Sequence, residues 1–273
     1  HWLLRPLLHS RRQAIRDFLA GHGHGWIDDP SNSDTHYERV RTRARLAAQK
    51  GVPAERIEAA AQNRRQLAQE TATWLADHAH VRHGVLMHIA PDGLRADASV
   101  LGHALSVCAA VLGGRLRGPG GESMQRVVDT LCGRQPVRLT AGRVVFDLRR
   151  DGLYLCREHR GLPTQRVLPG ETQVWGGRFR IVNGTGHAVG VGPSAPERQE
   201  ALHAFPGVPP VIAMRAARVM PHIDGRSADK VAVKVEPLLA PFDRFLPQFD
   251  LSLARVLATF FECDDFPALP FEN

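Results

Sequence analysis

Asp28-Asp29-Pro30-Ser31-Asn32-Ser33-Asp34, followed at once by Tyr37-Glu38-Arg39-Val40-Arg41-Thr42-Arg43-Ala44-Arg45, is the stretch around which this chain is organised. An acidic turn with small polar residues leads into a segment carrying arginine at every second position. Thr35 with Glu38 three residues later has the form of a capping box, so the spacing predicts a helix over 36–50, ended by Gly51. At about 100° per residue, Tyr37, Val40, Ala44 and Ala47 fall on one apolar stripe. Arg39 and Arg43 flank that stripe on one side, Arg41 and Arg45 on the other, and Thr42 and Gln49 point furthest outward. Arginines beside a packed seam are held in place, which suits them to a charged ligand. The alternative is that they are ordinary flanking charges paired with Asp28, Asp29 and Asp34, and exposed pairs of that kind contribute little.

Working outward, Ser10 is a candidate N-cap for a helix over 11–20 with Ile15, Phe18 and Leu19 inward and Gly21 as its stop. Downstream, Pro53 opens a helix reaching about 80, with Ile57, Ala60, Ala61, Leu67, Ala68, Thr71, Trp74 and Leu75 on its buried face. Val85, Met87 and Ile89 alternate as a strand, and Ala90-Pro91-Asp92-Gly93 is a turn before a second short strand. Helices are expected over 98–112 and 122–131, joined by a glycine-rich loop over 113–121. From Pro136 onward, strand-like runs at 137–140, 143–149, 152–157, 172–175, 178–183 and 188–191 alternate with turn signals and predict an antiparallel β unit. A helix over 197–205, strands at 211–214 and 231–235, and a terminal helix over 251–262 complete the chain.

The 273 residues, 43% apolar and 23% charged, have globular rather than disordered or fibrous composition. No uncharged apolar run reaches the roughly 18 residues that a membrane helix needs, and no signal-peptide layout is present, so a cytoplasmic protein is expected. The cysteines at 108, 132, 156 and 263 lack metal-ligand spacing and read as buried, reduced thiols. His78, His80, His83 and His88 have no cysteine or carboxylate completing a zinc pattern. The loop over 113–121 lacks the Gly-Lys-Ser/Thr of a phosphate cradle, and no nucleophile elbow occurs. Net charge is +7, almost all from arginine, since lysine occurs only at 50, 230 and 234. Residues 1–50 carry nine basic against five acidic side chains, and residues 138–180 nine against four. Two separated basic zones suit a long polyanion better than a small anion. Arg149 and Arg150, among arginines interleaved with Tyr154, Trp175 and Phe179, make the β unit a candidate nucleic-acid face.

Taken in order, Arg5-Pro6-Leu7-Leu8, Trp26, Asp29-Pro30-Ser31-Asn32-Ser33-Asp34, Tyr37, Arg39 and Arg43 resemble the pattern that follows the ATP-binding core of the tRNA(Ile)-lysidine synthases. Val40 stands where that family usually has asparagine, and Thr42 where it has a hydrophobic residue. The specific part of the resemblance covers residues 5–43, and the remainder is looser. It implies an α+β chain: the tail of a Rossmann-like ATP-pyrophosphatase domain over 1–51, a helical connector over 52–134, and a basic carboxyl-terminal tRNA-binding module with antiparallel strands over 135–273. It further implies an enzyme that uses ATP, with Mg2+, to adenylate the wobble cytidine of an isoleucine tRNA with a CAU anticodon, after which free lysine attacks to form lysidine. Arg43, then Arg39, are the catalytic candidates, placed to stabilise charge on the transferring phosphoryl group. Asp29, Ser31, Asn32 and Asp34 would shape the active-site turn, and Arg41, Arg45, Arg149 and Arg150 are candidate tRNA contacts. A homodimer is compatible with the resemblance. The family's Ser-Gly-Gly-x-Asp-Ser loop does not occur in these 273 residues, so the principal ATP site is expected upstream and this chain alone is expected to be inactive. The rival reading is a non-catalytic RNA-binding protein that keeps the architecture without the nucleotide site. A third is another ATP-pyrophosphatase of nucleobase or sulfur chemistry.

Overall fold

The computed structural model describes residues 2–7, 10–48, 54–224 and 232–270. Lys50, Gly51, Pro53 and Val231, invoked above as helix or strand limits, lie outside the described residues, as do Leu8 and Lys230. The chain divides into two compact units, 1–62 with 267–273, and 63–266. These units part at 62/63 and 266/267.

In the first unit, α1 (Arg12–Gly21) starts after Arg11, whose side chain makes no cap, so Ser10 does not serve as expected. Asp28 instead ties the helix down, accepting from Arg12 Nη2 at 2.8 Å and from Arg16, whose guanidinium also lies 5.1 Å from the Trp26 ring centre. A single 3-10 turn, Pro30–Asn32, precedes α2 (Glu38–Ala48). Trp2 Nε1 donates to the Ala268 carbonyl at 2.7 Å, joining the two ends of the sequence within this unit. No residue of α1 or α2 is buried. Phe18 is 64% exposed and Ile27 96%, and along the first turns of α3 (Ala54–His78) Ile57, Ala60 and Ala61 are exposed as well. The apolar faces read from the sequence are present, but no described residue of this unit buries them.

The second unit begins within α3, where Ala68, Thr71, Trp74 and Leu75 are buried as expected. It continues through β1 (Ala79–Arg82), β2 (Leu86–Ile89), α4 (Ala98–Gly113), α5 (Gly121–Cys132), β3 (Val137–Ala141), β4 (Val144–Arg149) and β5 (Gly152–Arg157). There follow β6 (Gln165–Val167), β7 (Thr172–Trp175), β8 (Phe179–Asn183), β9 (Val189–Pro193), α6 (Arg198–Ala204), α7 (Pro210–Arg218), β10 (Pro221–Asp224), β11 (Val233–Pro237) and α8 (Leu251–Phe260). The strands form antiparallel sheets ordered β1-β2-β5-β4-β3, β10-β9-β6 and β11-β8-β7.

Period-two alternation in the five-stranded sheet sends side chains into two different cores. Val144, Phe146, Leu148, Leu153 and Leu155 face α4, α5 and α8, whereas Tyr154 and Cys156 enter a second core with Trp175, Phe205, Ile212 and Ala216. Each fully buried side chain of this size contributes roughly 1.5–3 kcal/mol. Because β2 pairs with β5 (Leu86↔Cys156 to Ile89↔Leu153), the stretch expected to be a helical connector supplies two strands to the sheet of the expected carboxyl-terminal module.

Other expectations change for local reasons. Residues 79–80, read as the end of the helix, begin β1 (Ala79–Arg82), and the second short strand after Pro91 is a 3-10 turn, Gly93–Arg95, leading into α4. Residues 211–214 are helix, not strand. Pro210 at the first helical position starts α7, and Ile212, Ala213, Ala216 and Ala217 are buried at helical spacing. Four apolar residues were too few to reveal that period. β6 and β10 carried no clear signal. No helix among the described residues is long and apolar enough to cross a membrane. Cys108 and Cys156 are buried, Cys263 is half-buried, and Cys132, contrary to expectation, is exposed.

Candidate functional site

Asp29 organises the turn. Extended itself, it accepts the Ser31 backbone N–H at 2.8 Å on Oδ1, and Pro30 fixes the first position of the 3-10 turn. The Ser31 backbone N–H holds the Asp29 carboxyl below its ordinary value, helped by the Ser31 hydroxyl and, least, by the charge of Arg39. Ser31 Oγ also accepts from Arg39 Nη2 at 3.2 Å, and the Arg39 guanidinium lies 4.7 Å from the Tyr37 ring centre. Such a cation–π contact at an exposed site adds roughly 0.5–1 kcal/mol. Ser33 Oγ donates to the Pro30 carbonyl at 3.0 Å, the Asn32 N–H donates to the Asp29 carbonyl at 2.9 Å, and Asp34 Oδ1 accepts from the His36 N–H at 2.8 Å. The chain thus enters α2 through Asp34, and Glu38 is the first residue of the helix rather than the reciprocal half of a box at Thr35.

The four arginines of α2 have different environments. Arg39 is anchored to the turn. Arg41 Nη1 reaches back to the carbonyls of Thr35 (2.7 Å) and His36 (2.6 Å), and Arg45 Nη2 sits 3.5 Å from Thr42 Oγ1. Arg43, one helical turn after Arg39, is exposed and has no side-chain partner among the described residues. None of the four pairs with Asp28, Asp29 or Asp34 among the described residues, because those carboxylates are occupied by α1 or by turn amides. The stripe itself is only partly as expected: Val40 is half-buried, Tyr37 and Ala44 are exposed, and Thr42, expected outermost, is half-buried.

On the second unit, Arg149 and Arg150 part company. Arg149 Nε lies 3.0 Å from Oδ1 of the buried Asp147, whose Oδ2 also receives Arg215 Nη1 at 3.0 Å. Arg150 is exposed in the two-residue β4–β5 connection. Of the other arginines expected on a basic face, Arg180 pairs with Glu236 and Asp243, while Arg157 and Arg178 are buried. The exposed basic feature is a groove of about 440 Å3 between the β5 end and α7, lined by Val145, Glu158, His159, Arg160, Val211, Met214, Arg215 and Arg218. Among the described residues, Arg160 and Arg218 make no ion pair. Arg215 and Arg218 were missed in the sequence because α7 was read as a strand; their three-residue spacing after Pro209-Pro210 was the available signal. The glycine loop over 113–121 packs as a connector: Gly114 caps α4 at φ 62, where an added Cβ would sit 2.4 Å from the Gly176 carbonyl oxygen. No group of three or more His, Cys, Asp or Glu among the described residues is arranged to hold a metal.

Residues 1–50 match the PP-loop domain family. The whole chain aligns with the tRNA(Ile)-lysidine synthase of Rhizobium meliloti (strain 1021) at 38% identity, covering 61% of that protein. It is 32% identical to the tRNA(Ile)-lysidine synthase of Mesorhizobium japonicum over 98% of the chain and 62% of that protein. With the tRNA(Ile)-lysidine synthase of Bartonella tribocorum the identity is 31%, over 96% of the chain and 56% of the relative. The chain thus spans less than two thirds of the length of these relatives. No solved structure matches it significantly. Over the span it shares with them, the chain is similar to the tRNA(Ile)-lysidine synthases, with a PP-loop match at its start.

Proposed function

We propose that this chain is the carboxyl-terminal part of an ATP-dependent ligase that adenylates the wobble cytidine of an isoleucine tRNA and joins lysine to it, forming lysidine. The observation that carries the reading is the coincidence, inside the PP-loop match over 1–50, of an ordered acidic turn with an arginine locked onto it: Asp29 to Ser31 to Arg39. In this role Arg39 is a preorganised cation, with its geometry set before substrate arrives. Arg43, exposed one turn further along α2, reaches into the site and offsets charge growing on the transferring phosphoryl group. Asp29, Ser31, Asn32 and Asp34 set the angle at which α2 leaves the turn. The uncovered apolar faces of α1 and α2 support packing against the remainder of a PP-loop domain, which would hold ATP. The Mg2+ implied by the resemblance finds no ligand cluster among the described residues, and no step is assigned to it.

The tRNA is gripped on the second unit by Arg150 and by the groove of Arg160, Arg215 and Arg218, with apolar Val211 and Met214 beside them. Arginine next to apolar surface can meet both phosphate and base. Arg41 and Arg45 add positive charge near the reacting nucleotide.

The test is lysine incorporation into isoleucine tRNA, measured for the 273-residue chain and for the same chain extended by a PP-loop ATP-binding segment. Only the extended protein should turn over, and Arg43→Ala should lower its kcat by about 100-fold or more, the usual effect of removing one transition-state donor. Turnover by the 273 residues alone, or full activity of Arg43→Ala, would refute the assignment.

A further inference from the structure

Two guanidinium groups lie inside the second unit with no carboxylate beside them. Arg157 is 5% exposed and Arg178 3%, and neither forms an ion pair among the described residues. Arg178 donates to the carbonyls of Gly84 (2.6 Å) and Leu238, and lies over the rings of Phe179 and Phe261, at 5.3 and 4.7 Å from their centres. Arg157 Nη1 donates to the carbonyls of Gly113 (3.1 Å) and Gly176. Its Nε is buried and has no hydrogen-bond partner among the described residues. Both side chains line one small cavity of about 10 Å3, whose other walls include Val85, Leu112, Trp175 and Phe179.

Carbonyl dipoles and ring faces offset part of the cost of burying a cation, but they carry no net charge. Burial lowers both groups from the usual arginine value to about 10, which still leaves each charged at neutral pH. The region therefore holds two positive charges in a poorly polarisable setting, and the charge of Arg157 adds to the cost of burying Arg178. The space available is that of one particle of roughly water or halide size. Apolar walls disfavour strongly hydrated anions such as sulfate or phosphate, which are also too large. We propose that Arg157 and Arg178 form a binding site for a single halide-sized monovalent anion, with chloride as the natural occupant. Leu112 belongs to one hydrophobic core and Val85, Trp175 and Phe179 to the other, so the ion ties the two cores together.

Thermal unfolding of the unaltered protein in sodium chloride, bromide and gluconate at one ionic strength tests this. Chloride and bromide should raise Tm saturably above gluconate, with a tenfold excess over Kd shifting the folding equilibrium about 11-fold. Arg157→Gln should lose that increment. A bromide-soaked crystal should show an anomalous peak within hydrogen-bond reach of Arg157 Nε. Equal Tm in chloride and gluconate, persistence of the increment in Arg157→Gln, or a water without bromide at that position would overturn the proposal. If the variant does not fold, the melts and the bromide map of the unaltered protein decide. Neither measurement involves RNA or ATP, so neither outcome bears on the proposed ligase activity.

Discussion

Replacing Arg160 and Arg218 together with glutamine should reduce the salt dependence of tRNA binding by a calculable amount. Both line the groove beside α7, and neither is committed to a carboxylate among the described residues, whereas Arg215 is held by Asp147. Each cation that neutralises a backbone phosphate contributes roughly 0.7–0.9 to the slope of log K against log salt. Losing two lowers the slope by about 1.4–1.8, so between about 50 and 200 mM salt the affinity gap between parent and variant should shrink roughly tenfold. Fluorescence anisotropy of a labelled isoleucine tRNA, titrated at three salt concentrations, reads this directly. Both positions are exposed, so denaturation midpoints should be unchanged to within about 0.5 kcal/mol. Parallel log–log plots for parent and variant would remove the groove from the RNA footprint, whatever the absolute affinities. A slope reduced by Arg150→Gln but unchanged by the Arg160 and Arg218 pair of substitutions would confine the footprint to the β4–β5 turn.

Four further outcomes are expected. Asp147→Ala should cost about 3 kcal/mol in urea unfolding, because it strands the poorly exposed Arg215; a loss under about 1 kcal/mol would mean that Arg215 escapes to solvent. Gly152→Ala should cost at least about 2 kcal/mol, since φ is 133° and an added Cβ would meet the Ile89 carbonyl oxygen at 2.3 Å; an unchanged Tm would contradict the register of β2 on β5. Burial, reinforced by the charge of Arg64, holds His103 at about 4 against an ordinary 6.5. The unfolded chain therefore binds more protons than the folded one between those values, so stability should be complete above about pH 6.5 and decline as pH falls toward 4. His103→Gln should flatten that decline, and an unaltered pH profile would count against a neutral, half-buried imidazole. Finally, a thiol reagent at pH 8 should label exposed Cys132 quickly while Cys108 and Cys156, buried and with thiols pushed up to about 12, react only on unfolding. Rapid labelling of either buried residue would show that the second unit opens locally.

Signals that live in neighbouring residues were legible in the sequence. The helices over 98–112 and 122–131 and the strands at 137–140, 152–157 and 172–175 fall within a residue or two of α4, α5, β3, β5 and β7, because cap, period and turn chemistry are local. The acidic turn and the order of Asp29, Ser31, Arg39 and Arg43 were legible for the same reason, and they carried the family resemblance. What failed was short or non-local. Residues 211–214 show only four apolar positions, and helix and strand cannot be told apart at that length. In place of the capping box at Thr35, the turn before α2 is held by Asp34, which accepts the His36 N–H.

Which arginines face solvent was decided only by the tertiary structure. Arg149, Arg157, Arg178 and Arg180 look alike in a strand pattern. One is paired with a buried aspartate, two are buried against carbonyls contributed by residues far away in sequence, and the last is paired across to β11 and beyond. The joining of β2 to β5 is equally invisible beforehand, because strand pairing depends on which edges meet after the chain has folded. The sequence alone determined the family resemblance, the turn that organises α2 and the two basic zones, all of which rest on residues close together in the chain. The tertiary structure decided the domain division, the basic groove and the buried guanidinium pair. Each of those is set by which distant groups remove a charge from water or leave it there.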